Sequence, residues 1–132
     1  MFDANIVASG VCWRGESWRC LIAFARRQVF AYATDYTLAE SQEATLRLIQ
    51  RFNPQHNPLN VLNWYLREIR MVEPAPLGKQ RSRDAKDDPY LAAALAARAD
   101  FIVSYDKDLL KLKKPFGIEM ISPAQFLRLV KG

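Results

Sequence analysis

The stretch Asp88-Pro89-Tyr90-Leu91-Ala92-Ala93-Ala94-Leu95-Ala96-Ala97-Arg98-Ala99-Asp100-Phe101-Ile102-Val103-Ser104-Tyr105-Asp106-Lys107-Asp108 decides the fold. Leu91, Ala92, Leu95, Ala96 and Ala99 recur with the period of one helix face, and Asp88 before Pro89 is a preferred helix start. Phe101 to Ser104 is too short for a helix and reads as a buried strand, which an acidic turn follows. A helix feeding a short buried strand is the repeating unit of a parallel sheet with crossover helices, so the class is α/β.

The same alternation continues on both sides. Met1 to about Val7 reads as a first strand, Gly15 marks a turn, and a helix carries Trp18, Leu21, Ile22 and Ala25. Val29 to Ala33 is expected to be a strand. Thr37 to Arg51 follows as a helix with Leu38, Leu46, Leu48 and Ile49 on its apolar side, ended by Phe52 to Pro58 with its two prolines. A helix over Leu59 to Arg70 and a short strand over Met71 to Glu73 lead into Pro74 to Asp87, a loop long enough to be functional. Gly117 to Ile121 reads as a last strand, and Ser122 caps a closing helix with Pro123 at its first position. The expected architecture is a central parallel sheet of four to five strands flanked by helices.

The chain has 132 residues, 50% of them hydrophobic and 11% aromatic, enough for a real core, so disorder is excluded and one domain over residues 1–132 is expected. The longest apolar run, Tyr90 to Ala97, falls far short of the roughly 20 residues that cross a bilayer. No targeting signal follows Met1, so the expected location is cytoplasmic and no membrane contact is expected. Cys12 and Cys20 lack metal-ligand spacing and read as reduced thiols. The net charge of +5 steers polyanions toward the surface.

In a parallel sheet, strand ends and the starts of the following helices gather at one edge, where ligands bind. Four acids fall there: Asp3, Glu40, Asp88 and Asp106, with Asp108 a fifth candidate. Each has an ordinary explanation. Thr37 and Glu40 have the spacing of a capping box, Asp88 is a good N-cap, Asp106 and Asp108 suit a turn, and Asp3 lies beside the terminus. Capping does not explain why one edge collects carboxylates, since Ser, Thr or Asn would cap without mutual repulsion. Anions sharing a cleft need a compact cation, and all-oxygen donors select a hard one, Mg²⁺ or Mn²⁺. His56, the only histidine, lies between prolines and reads as a loop residue. A hard cation that activates water and clamps phosphate oxygens points to a phosphodiester substrate. Basic residues near that edge, among them Arg14, Arg81, Arg83 and Lys107, are candidates for holding a nucleic-acid backbone, although each also suits a solvated surface.

Asp3-Ala4-Asn5-Ile6-Val7, Leu38-Ala39-Glu40, Asp87-Asp88-Pro89-Tyr90-Leu91-Ala92, Ile102-Val103-Ser104-Tyr105-Asp106-Lys107-Asp108-Leu109-Leu110 and Ile121-Ser122-Pro123-Ala124-Gln125-Phe126-Leu127 together resemble the PIN domain family. The likeness is to its bacterial branch of toxin components of toxin–antitoxin pairs. The resemblance implies a Rossmann-like domain and a Mg²⁺- or Mn²⁺-dependent ribonuclease, with Asp3, Glu40, Asp88 and Asp106 as catalytic metal ligands and Asn5, Ser104 and Asp108 supporting them. It also implies a small antitoxin protein over the acidic cleft, and homodimerisation. Two positions depart from the family. Ala4 stands where Thr is usual, and only Met1 and Phe2 precede Asp3, which shortens the first strand. The terminal amine is thereby expected within roughly 7 Å of the Asp3 backbone, where it would compete with a metal for the carboxylate. That leaves open an upstream start, or a catalytically impaired RNA- or protein-binding module; a housekeeping nuclease is a further alternative. A phosphohydrolase with a nucleophilic Asp usually shows a second Asp two residues on, where Asn5 stands.

Overall fold

A computed structural model describes residues 1–131. In chain order the elements are α1 (Ala4–Cys12), α2 (Glu16–Ala25), β1 (Tyr32–Ala33), α3 (Asp35–Phe52), α4 (Pro58–Glu68), β2 (Arg70–Met71), α5 (Asp88–Ala97), β3 (Phe101–Val103), α6 (Lys107–Leu110), β4 (Glu119–Ile121) and α7 (Pro123–Lys131). Two single turns of 3₁₀ helix, Ala85–Asp87 and Pro115–Gly117, precede α5 and β4. The α/β class and the parallel pairing hold, but the four- to five-stranded sheet does not form. The described strands make two separate parallel pairs, β1 with β2 and β3 with β4.

The sheet is small for local reasons. The first segment contributes a single parallel bridge, Phe2 to Val103, because the helix begins at Ala4 instead of after Val7. The β-branched Ile6 and Val7 suggest a strand, yet both are fully buried within α1, packed on two sides. Burial of a helix all round overrides a weak strand propensity. At the other end, β2 is an exposed pair of residues, and beyond Val72, whose amide still reaches the Ala33 carbonyl, Pro74 and Pro76 have no N–H to extend the ladder.

Two apolar clusters meet along α1. One joins Ile6, Val7 and Val11 to Leu21 and Phe24 of α2, Leu62 and Tyr65 of α4 and Phe126 of α7. The other packs Met1 and Ala4 against Tyr90, Leu91 and Ala94 of α5, Ile102 of β3 and Leu109 of α6. Close approach to α2 requires Gly10, where a Cβ would lie 2.7 Å from Leu21 Cδ1 and 2.9 Å from the Ser17 carbonyl oxygen.

The α3 helix corrects its expected apolar face. Leu46 is exposed, and the buried residues are Thr37, Ser41, Ala44 and Thr45. Small side chains let α3 lie close to α1, and the buried hydroxyls are satisfied within the helix: Ser41 donates to the Thr37 carbonyl at 3.0 Å and Thr45 to that of Ser41 at 2.7 Å. The cap differs too. Thr34 and Thr37 form the capping box, each side chain accepting the other's backbone N–H, so Glu40 takes no part in it.

Candidate metal centre

The Phe2–Val103 bridge sets the first acid. Val103 donates its N–H to the Met1 carbonyl and accepts from the Asp3 N–H, which leaves Asp3 at the carboxyl edge beside Ser104. There Asp3 is buried, and its Oδ2 accepts from Ser104 Oγ at 2.7 Å. The same hydroxyl oxygen accepts the Asp106 N–H at 2.9 Å, so Ser104 positions both acids. The terminal amine does not compete for Asp3: it donates to the Phe101 carbonyl at 3.0 Å.

Asp106 follows β3 and caps α6, its Oδ1 accepting from the Asp108 N–H at 2.8 Å. A short helix so capped brings Asp108 back over Asp106. The loop before α5 supplies a third acid, Asp87. Carboxylate oxygens of Asp87, Asp106 and Asp108 all lie within 4.8 Å of one another. Burial, then the Asp106 carboxylate, pushes the Asp87 carboxyl up to about 7. Asp3 is raised as well, chiefly by burial, with Asp106 and Glu40 adding to it against the Ser104 hydrogen bond.

Asp88 points elsewhere. It is the first residue of α5, and its carboxylate reaches back into the loop to accept the amides of Arg81 at 2.9 Å and Ser82 at 2.7 Å. Asp87 stands at the N-cap position without making the cap bond, which leaves its carboxylate to the cluster, where the Ser82 hydroxyl also approaches it at 3.4 Å. Helical phase does not separate the two: α5 buries Tyr90 to Ala94 without a break, and Asp88 is as much in phase with Leu91 and Ala92 as Asp87 is with Tyr90 and Leu91.

Glu40 completes the edge from α3. Its Oε1 accepts from the Tyr90 hydroxyl at 2.6 Å and its Oε2 from Tyr36 at 3.4 Å. Both tyrosines escaped the sequence reading. Asn5 is exposed in the first turn of α1, two residues beyond Asp3.

None of these acids forms an ion pair with a described residue. Among the described residues the ion pairs are Glu43–Arg47 and Glu119–Lys114, both away from the cluster. Such a group of oxygen donors is the donor set of a hard divalent ion, not of zinc. Cys12 and Cys20 are free and buried, and burial raises both thiols, Cys20 to about 12, which disfavours the thiolate.

The model of the PIN domain matches residues 1–108, most of the chain, including Asp3, Glu40, Asp87 and Asp106. The chain belongs to the PIN domain family. No curated protein and no solved structure matches it. PIN domains are in general metal-dependent nucleases, and this one carries the fold together with an acidic cluster. No helix among the described residues of this PIN domain is long and apolar enough to cross a membrane.

Around the cluster, Lys107 is exposed between Asp106 and Asp108, and Arg83 is exposed in the loop before α5. Arg81 lies over the Phe116 ring at 5.1 Å and donates to the Leu77 carbonyl. Arg14 is not brought to the cluster. It stacks on Trp18 beyond the far end of α1, roughly 15 Å along the helix from Asp3 at 1.5 Å per residue.

Proposed function

We propose that this PIN domain is a metal-dependent endoribonuclease that hydrolyses RNA phosphodiester bonds with Mg²⁺ or Mn²⁺. The observation that carries the reading is the convergence of Asp87, Asp106 and Asp108 within 4.8 Å, none of them ion-paired among the described residues. Asp3 and Glu40 would complete the donor set, Asp3 held by Ser104 and Glu40 by Tyr90. A bound divalent ion supplies Lewis acidity toward phosphate oxygens and lowers the pKa of a water. The chain's own contribution is to hold the carboxylates in register through Ser104, the α6 cap and Tyr90. Arg81, Arg83 and Lys107 offer exposed positive charge for the RNA backbone beside them. Of the sequence-derived acids, Asp88 becomes a loop-positioning residue in this proposal, and Asp87 takes its place as ligand.

The domain is further proposed to be the toxin of a toxin–antitoxin pair, cytoplasmic and homodimeric, held inactive by a small antitoxin protein. An apolar groove between α2 and α4, lined by Trp18, Ile22, Val61 and Trp64, supports a protein partner. The test is to incubate the purified chain with single-stranded and structured RNA, with Mn²⁺, Mg²⁺ or chelator, beside Asp106→Asn. Cleavage that needs metal and is lost in the variant is expected. A folded protein inert with every metal would make it a binding module instead, and cleavage surviving in Asp106→Asn would sink the metal centre. Growth arrest on expression, relieved by the same variant, separates a toxin from a housekeeping nuclease.

A further inference from the structure

A cavity of about 600 Å³ opens between the start of α3, the segment after β2 and the start of α5. Its volume is that of a small-ligand site. We infer that it receives the base of a nucleotide next to the scissile phosphate, and that it favours guanine; this rests on the ribonuclease reading.

The cavity reaches the acidic edge through Tyr36, which lines it and whose hydroxyl lies 3.4 Å from Glu40 Oε2. Tyr36 presents a half-exposed ring, and Leu77, Val72 and Pro89 supply apolar wall. An aromatic face with aliphatic surface near it is how proteins hold an unstacked base of single-stranded RNA.

The polar lining sets the preference. Asp35, Glu73 and Asp88 are all acidic, which repels a phosphate and calls for donors. Each Asp88 oxygen already accepts an amide, from Arg81 and Ser82, so Asp35 and Glu73, both exposed, are the freer acceptors a ligand meets. Guanine alone among the four bases presents two adjacent donors, N1–H and N2–H₂, on its Watson–Crick edge. Adenine and cytosine set an acceptor nitrogen beside their amino group, and uracil flanks its one N–H with two carbonyls, each facing a carboxylate unfavourably.

The experiment titrates guanosine, adenosine, cytidine and uridine into the metal-free full chain and follows the resonances of Tyr36 and its neighbours. Guanosine is expected to bind about tenfold tighter than the others, the discrimination of one bidentate contact. Tyr36→Ala should weaken all four, whereas Asp35→Asn with Glu73→Gln should erase the guanosine preference and leave stacking. Equal binding of the four nucleosides, binding indifferent to these variants, or no shift at the cavity would overturn the inference. Nucleosides have no phosphate and nothing is cleaved, so this failure leaves the ribonuclease reading standing, and a nuclease-dead chain would still report the cavity.

Discussion

The Tyr90 hydroxyl donates to Glu40 Oε1 at 2.6 Å, joining α5 to α3 across 50 positions of sequence. Burial, followed by this hydrogen bond, holds the phenol far above its ordinary range, so it stays a donor at every working pH. Tyr90→Phe keeps the ring and strands one partly buried carboxylate oxygen. The expected cost is about 1–3 kcal/mol of stability. Denaturant unfolding measures it, and a parallel drop in RNA cleavage with a normal fold by circular dichroism would place the bond in service of Glu40.

Asp87 and Asp88 are adjacent, yet one faces the cluster and the other the loop amides. Asp87→Asn is expected to lower metal-dependent cleavage by about a hundredfold or more, while Asp88→Asn retains activity within about tenfold. Asp88→Asn keeps one acceptor oxygen for two amides, so its expected loss is of stability, about 1 kcal/mol. Rates and melting temperatures of the two variants, side by side, decide the assignment. The opposite ranking of rates would return the ligand role to Asp88.

Without metal, the cluster also predicts how stability changes with pH. The Asp87 carboxyl is near 7 when folded against 3.8 ordinarily, so the folded state binds this proton more tightly than the unfolded state. Its contribution is therefore present below about 4 and is lost as the pH rises to about 7, with Asp3 acting in the same direction. Chelator-treated protein should melt at a lower temperature at about pH 8 than at about pH 6, other groups being matched by the Asp87→Asn variant, which should flatten the slope. Mn²⁺ should raise the melting temperature most at the higher pH, because ligand carboxyls must lose their protons to bind it.

Helix α5, strand β3 and the Ser122-capped α7 were legible because their signals are local: Pro89 at a helix start, a run of Phe101, Ile102 and Val103, and the reciprocal Ser122–Gln125 bonds. The acidic edge was legible because topology alone brings strand ends and helix starts together. What misled were residues whose role depends on tertiary partners. Ile6 and Val7 favour a strand until α1 is enclosed by α2, α3 and the rest of the core, and Leu46 marks an apolar face only while the hydroxyls of Thr37, Ser41 and Thr45 have no packed neighbour. Asp87 and Asp88 are not separable from the sequence, because what sets them apart is tertiary: the Arg81 and Ser82 amides that the Asp88 carboxylate accepts.

Gly10 tests the packing that carries Asp3 into place. A methyl group there would meet Leu21 Cδ1 at 2.7 Å and the Ser17 carbonyl at 2.9 Å. Leu21 is a fully buried side chain and Ser17 O is backbone, so neither yields without shifting α2 against α1. Alanine is otherwise the better helix former by about 1 kcal/mol, so propensity and packing oppose each other. Overpacking of about 1–3 kcal/mol is expected to win, and Gly10→Ala should be destabilised in urea. Since α1 begins at Ala4, a tilt of that helix would also move Asp3 relative to Ser104, and the variant's Mn²⁺ affinity should fall with its stability. A Gly10→Ala protein as stable as the parent would mean that α1 and α2 do not approach as closely as these contacts require.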